Sequence, residues 1–324
     1  MQARTGFGLA LLSAATFGTS GTFARSLIGA GWSAPAAVTA RVGIASLLLA
    51  IPAIMAVRGR RAVLRGSLGL IVAFGLLAVA GAQVCYFNAV RFLPIGIALL
   101  MEYLGIILVV FWMWARHRQR PRRLTLGGSA LAAIGLILVL NVSGVDTVDL
   151  RGVAWGLGAA VGLAAYFVLS ARVQEDLPSV AMAGGGMAVG AVALLGLGAA
   201  GVLPMHATFG EVQFAGRTTS WLVPVVGLCV IGAALAFVSG IGAARILGAR
   251  LSSFVGLTEV LFAAVFAWLV LGELPVPVQV VGGLFIIGGV VLVRLGESVP
   301  GPAVEEAAEE PLVPARVDHA SATP

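Results

Sequence analysis

Apolar runs of roughly 18 to 25 residues recur along almost the whole chain, each long enough for an α-helix to cross a hydrocarbon core about 30 Å thick. They lie at 5–28, 35–57, 67–90, 94–115, 124–142, 151–173, 179–203, 221–245, 250–271 and 275–294. This pattern predicts an all-α integral membrane protein of about ten transmembrane helices, in which the spans are the architecture and not an anchor. The composition agrees: 60% of the residues are hydrophobic and 10% charged, whereas a soluble domain spends about a quarter on charge. The 44 glycines are scattered through the apolar runs, which suits helices that approach closely in lipid. Residues 5–28 are long for a signal-peptide core and carry Ser13, Thr16, Thr19 and Ser20, so this run reads as a retained helix.

A net charge of +6 does not make a nucleic-acid-binding face here, because the basic residues sit in short links between spans. All are Arg and none is Lys, and with abundant Ala and Gly this reads as the product of a GC-rich bacterial genome. The link between spans two and three carries Arg58, Arg60, Arg61 and Arg65; that between four and five carries Arg116, Arg118, Arg120, Arg122 and Arg123. The opposite links are poorer, with Asp146, Asp149 and Arg151 in one and Glu211 and Arg217 in another. The positive-inside rule then puts both Arg-rich links and both termini in the cytoplasm of a bacterial inner membrane. Cys85 and Cys229 fall inside spans and read as small packing residues. Residues 295–324, with Glu305, Glu306, Glu309 and Glu310, read as a disordered cytoplasmic tail. The longest internal link, 204–220, is either a surface loop or a cover over one end of a pathway.

Sliding the chain against itself by 154 positions sets Ala89, Arg91, Ile97 and Trp114 against Ala243, Arg245, Leu251 and Trp268. In both copies an Arg ends a long span and a short turn, at Pro94 or Gly248, leads into the next. Five spans per half, over 1–142 and 151–294, enter the membrane in opposite senses, the inverted repeat of many secondary transporters.

The stretch Leu251-Ser252-Ser253-Phe254, then Glu259, then Ala267-Trp268-Leu269-Val270-Leu271-Gly272-Glu273 resembles the second repeat of the drug/metabolite transporter superfamily, in its EamA-type ten-helix branch. The resemblance covers 5–294. Tyr86-Phe87-Asn88-Ala89-Val90-Arg91, Pro94-Ile95-Gly96-Ile97-Ala98 and Glu102 are similar to the threonine/homoserine exporter subgroup. Where that pattern commonly carries Pro, this chain has Ile106 and Val260. The resemblance implies a pathway between the halves, export of amino acids or similar metabolites, and coupling to protons.

Charge inside the hydrocarbon is the most informative residue-level feature, because it costs roughly 2.5–3.5 kcal/mol at the centre even on the lenient insertion scale. Arg41 lies in span two, Glu102 in span four and Glu259 in span nine. Glu102 and Arg41 either neutralise each other structurally, or Glu102 accepts a proton or ammonium while Arg41 holds a substrate carboxylate. Glu259 either faces the same pathway or satisfies backbone at a helix contact. Arg91 and Arg245 end their spans and are expected to snorkel to the interface. Ser13, Thr16 and Ser20 share one face of span one, and Gln83 and Tyr86 one face of span three beside Asn88. Each set is either a substrate surface or glue between helices. Tyr103 and Tyr166 either line the pathway or pack the core. Gly152, Gly156, Gly158 and Gly162 have small-xxx-small spacing, and no strand precedes Gly156-Leu157-Gly158, so these glycines read as helix packing and not as a phosphate loop.

His117, His206 and His319 all lie outside the spans, and no Asp lies within one, which disfavours intramembrane serine or aspartyl enzymes. No cofactor and no metal site is expected. The expected partners are a small-molecule substrate, protons and the lipid bilayer, with a homodimer left open. Few aromatics in the spans disfavour a greasy drug pocket.

Overall fold

The computed structural model describes residues 2–117, 122–140, 149–172 and 177–298. The sequence-expected tail beyond Ser298, together with Arg118, Arg120 and Asp146, lies outside the described residues. Among the described residues, nine helices are long and apolar enough to cross a membrane. One of them, Leu222–Gly256, has 35 residues, more than the roughly 20 that one crossing needs. It is broken at Gly248, whose φ of 79° and ψ of 165° no helical residue adopts and which glycine reaches without steric cost. Span eight therefore ends before Gly248, and span nine is 249–256 continued by Thr258–Leu271. The outcome is the ten-helix membrane fold in two inverted repeats of five that the hydropathy pattern predicts. The last helix, Pro277–Ser298, runs past Arg294 into residues that the sequence assigns to the tail.

The two-fold relation shows in which helices touch. Span one packs on spans eight and nine, and its repeat mate, span six, packs on three and four. Span two pairs with span seven, and span five with span ten. Glycines set the last contact: a Cβ on Gly135 would lie 2.6 Å from the Gly282 carbonyl, and one on Gly282 2.6 Å from the Gly135 carbonyl. Backbones this close gain dispersion contact that a larger side chain would block. The span-six glycines behave likewise, with a Cβ on Gly162 falling 2.6 Å from Ala82 Cβ in span three. Spans three and eight each contain a π-helical stretch, Phe74–Gly81 and Val230–Leu235. The 154-residue offset sets Gly81 on Leu235, so both repeats carry the irregularity at the same place.

The link 204–220 is more ordered than a surface loop. Glu211–Phe214 and Arg217–Ser220 form an antiparallel hairpin, turned by Ala215 and Gly216 at φ 52° and 70°, the left-handed pair that matches strand twist. Phe214 stacks on Phe23 at 5.3 Å, Trp32 Nε1 donates to the Thr208 carbonyl at 2.6 Å, and Ser33 Oγ donates to the Pro204 carbonyl at 2.7 Å. The hairpin thus covers the turn between spans one and two. Because successive spans alternate in direction, the hairpin stands at one end of the bundle. Arg58, Arg60, Arg65, Arg116, Arg122 and Arg123 stand at the other.

Candidate functional site

A cavity of about 830 Å³ lies between the halves, walled by spans one to four of the first repeat and six, eight and nine of the second. It reaches the hairpin end at Arg25, Ala34 and Ile95, and stops at Ala10, Ala243 and Ser252 short of the Arg-rich end. Ile95 is 65% exposed, as expected of a residue at a mouth.

Nine of the eleven residues that the sequence puts forward line this one cavity: Ser13, Ser20, Arg41, Gln83, Tyr86, Glu102, Tyr103, Tyr166 and Glu259. The helical spacing of Gln83 and Tyr86 puts both on the cavity wall, as their shared face requires. Asn88 is not on that wall. Its Nδ2 donates to the Val84 carbonyl at 2.9 Å and its Oδ1 accepts from Arg91 at 3.4 Å. An amide that bonds its own helix has no need of a neighbour, and a stripe adjacent to Gln83 faces elsewhere.

Arg41 is a half-buried cation in the cavity wall. It donates through one terminal nitrogen to the Gly232 carbonyl at 2.6 Å and lies over the Phe17 ring at 5.5 Å, while its buried Nε has no hydrogen-bond partner. Gly232 belongs to the π-helical stretch of span eight and also accepts from Ser20 Oγ at 3.2 Å. Among the described residues, no ion pair joins Arg41 to Glu102 or Glu259; the one ion pair there is Arg25 with Glu273. Glu102 and Glu259 make no hydrogen bond or ion pair among the described residues.

The span-one hydroxyls divide. Ser13 and Ser20 line the cavity and at the same time donate to carbonyls of span eight, Ala236 at 2.8 Å and Gly232. Thr16 bonds only its own helix, at Leu12 and Ser13. Glue and cavity wall are therefore the same residues at two of three positions.

Sequence reasoning named Tyr166 but missed Phe17 and Phe237, which complete an aromatic wall with it. Phe17, Tyr166 and Phe237 meet edge to face, with Phe17 and Phe237 at 5.1 Å and Tyr166 and Phe237 at 5.7 Å, and all three line the cavity. Aromatics are scarce in the chain but concentrated here, which composition cannot reveal. Arg25 and Ser252 were also missed. Arg25 sits a turn from the end of a span, where Arg is common, and Ser252 reads as one small residue among many.

Arg91 and Arg245 differ more than their matched positions suggest. Arg91 is exposed and bonds only Asn88, as snorkelling predicts. Arg245 is half-buried and donates to the Leu177 carbonyl, with a second nitrogen 3.5 Å from Met182 Sδ. Its guanidinium is spent on backbone, not on the membrane surface.

A cavity between inverted repeats, walled by both, is the arrangement of a carrier. The sequence matches the EamA-like transporter family twice, over residues 4–141 and 150–295. The chain belongs to the EamA-like transporter family. The two family matches coincide with the two five-span halves, so this EamA-like protein is a multi-pass membrane transporter built of two EamA repeats. A solved crystal structure is similar to it with a TM-score of 0.70 over 91% of this chain and 96% of that one, at 20% identity; this shows the shared fold alone. No curated protein matches the sequence.

Proposed function

We propose that this EamA-like transporter is a secondary carrier exporting a small metabolite, an amino acid such as threonine or homoserine, in exchange for protons across a bacterial inner membrane. The observation that carries the reading is that Arg41, Glu102 and Glu259 wall one cavity without pairing with each other. Embedded charges that do not neutralise one another need another reason to be there. A zwitterion supplies it: its carboxylate meets the Arg41 guanidinium, whose Nε has no hydrogen-bond partner, and its ammonium meets a carboxylate. Glu102 is the residue that exchanges a proton when no ammonium is bound.

With the Arg-rich end in the cytoplasm, the cavity described above is open toward the outside. Ser20 and Gln83 provide polar groups along the wall that replace water around the moving charges. The Phe17, Tyr166 and Phe237 wall favours a second reading, a drug or other metabolite with an apolar body in the same cavity. The test compares metabolites inside and outside cells that lack or overproduce the protein. Retention of one amino acid in the first and its release by the second supports the primary reading. A difference confined to apolar compounds replaces it with the second.

A further inference from the structure

Arg91 and Arg245 occupy one place in two repeats. Each closes an Ala-x-Arg triplet, Ala89-Val90-Arg91 and Ala243-Ala244-Arg245, just before the turn into the next span. Because the repeats are inverted, the two arginines stand at opposite ends of the bundle. Arg91 stands at the hairpin end, where the cavity reaches the surface, and Arg245 at the end where the cavity is closed.

Their surroundings differ in the same sense as the ends do. Arg245 donates to the carbonyl of Leu177, a residue 2% exposed, in the link that precedes Pro178, the N-cap of span seven. This bond fastens the end of span eight to the turn between spans six and seven. Among the described residues Arg91 reaches no carbonyl, and its Asn88 partner is one turn back on its own helix. The N-cap of span two is Ser33, so the repeat mate of Leu177 is Trp32. Among the described residues no hydrogen bond reaches the Trp32 carbonyl. The link that contains Trp32 is itself held in place by the 204–209 segment, with Ser33 N donating to the His206 carbonyl at 2.9 Å.

We propose that Arg91 and Arg245 are alternating latches. In the state described here Arg245 on Leu177 holds the Arg-rich end shut. In the opposite state it lets go, and Arg91 takes the Trp32 carbonyl and shuts the hairpin end. Two equivalent bonds exchanged between two inverted halves keep the states close in energy, as a carrier that must visit both requires. The inference rests on the carrier reading and adds to it the bonds that separate the two states.

The test uses full-length protein with Cys85→Ser and Cys229→Ser, and a membrane-impermeant maleimide applied to either face in oriented vesicles. One reporter is Leu99→Cys, on the cavity wall. The other is Ser253→Cys, its repeat mate, which is 0% exposed in this state. Arg245→Gln is expected to slow labelling of Leu99→Cys from the hairpin face and to speed labelling of Ser253→Cys from the Arg-rich face. The expected shift in their ratio is about tenfold, the scale of one charge-assisted hydrogen bond. Arg91→Gln is expected to shift the ratio the other way, and because that side chain is exposed its variant folds even if Arg245→Gln does not. Unchanged ratios, or both variants moving the ratio in one direction, would overturn the latches while leaving the carrier intact. Ser253→Cys that never labels from the Arg-rich face in any variant would overturn the carrier reading and the latches together.

Discussion

Arg41 of span two donates to the carbonyl of Gly232 in span eight at 2.6 Å, so the guanidinium of one repeat is anchored to the backbone of the other. The same oxygen accepts from Ser20, and a helix in π geometry is a common place for such a functional contact. Among the described residues, the two acids that share the cavity have no hydrogen-bond or ion-pair partner.

This arrangement separates the roles of Arg41 and Glu102 in stability. Arg41→Gln removes a charge-assisted bond between the halves, and we expect it to lower stability by about 1.5–3 kcal/mol. Glu102→Gln strands no ion pair and is expected to leave thermal stability in detergent within about 0.5 kcal/mol of the parent. Equal losses from the two substitutions in a melting experiment would mean that a structural pair exists after all.

The contact of spans five and ten is expected to be intolerant of side chains. Gly135→Val drives a side chain into the Gly282 carbonyl and should cost about 1–3 kcal/mol by overpacking. Gly127→Ala, in the same helix but with nothing within 4 Å of an added Cβ, should change the melting temperature little. Similar melting of the two variants would contradict the packing described.

The proposed orientation rests on the Arg-rich links. In intact cells an impermeant thiol reagent should label Arg217→Cys, in the exposed hairpin, and not Arg58→Cys, again with Cys85 and Cys229 replaced. Labelling of Arg58→Cys alone would invert the topology.

The spans, their number and the repeat were legible because hydrocarbon imposes length and apolarity directly on sequence. Arg41, Glu102 and Glu259 were legible because charge stands out in an apolar run. What a polar residue bonds was not. Asn88 and Gln83 look alike in sequence, yet one bonds its own helix and the other lines the cavity. The π-helical stretches have no composition signal, since Phe74–Gly81 reads as ordinary apolar helix. The hairpin was missed because its turn is Ala215-Gly216 instead of the Asn-Gly or Asp-Gly that marks such turns. Arg245 was read as an interfacial residue because nothing local tells a snorkelling Arg from one that meets a carbonyl in a distant link.

The central claim is that Glu102 links substrate movement to protons, and one measurement bears on it most directly. Everted membrane vesicles carrying the parent protein or Glu102→Gln, at matched expression, are given an imposed proton gradient and the amino acid identified by the cell comparison. The parent is expected to accumulate the amino acid against its gradient and to stop when the proton gradient is collapsed. Glu102→Gln is expected to accumulate none, at least a tenfold loss of the gradient-driven rate, while still letting bound substrate protect a cavity cysteine from labelling. Gradient-driven accumulation by Glu102→Gln at the parent's rate would contradict it.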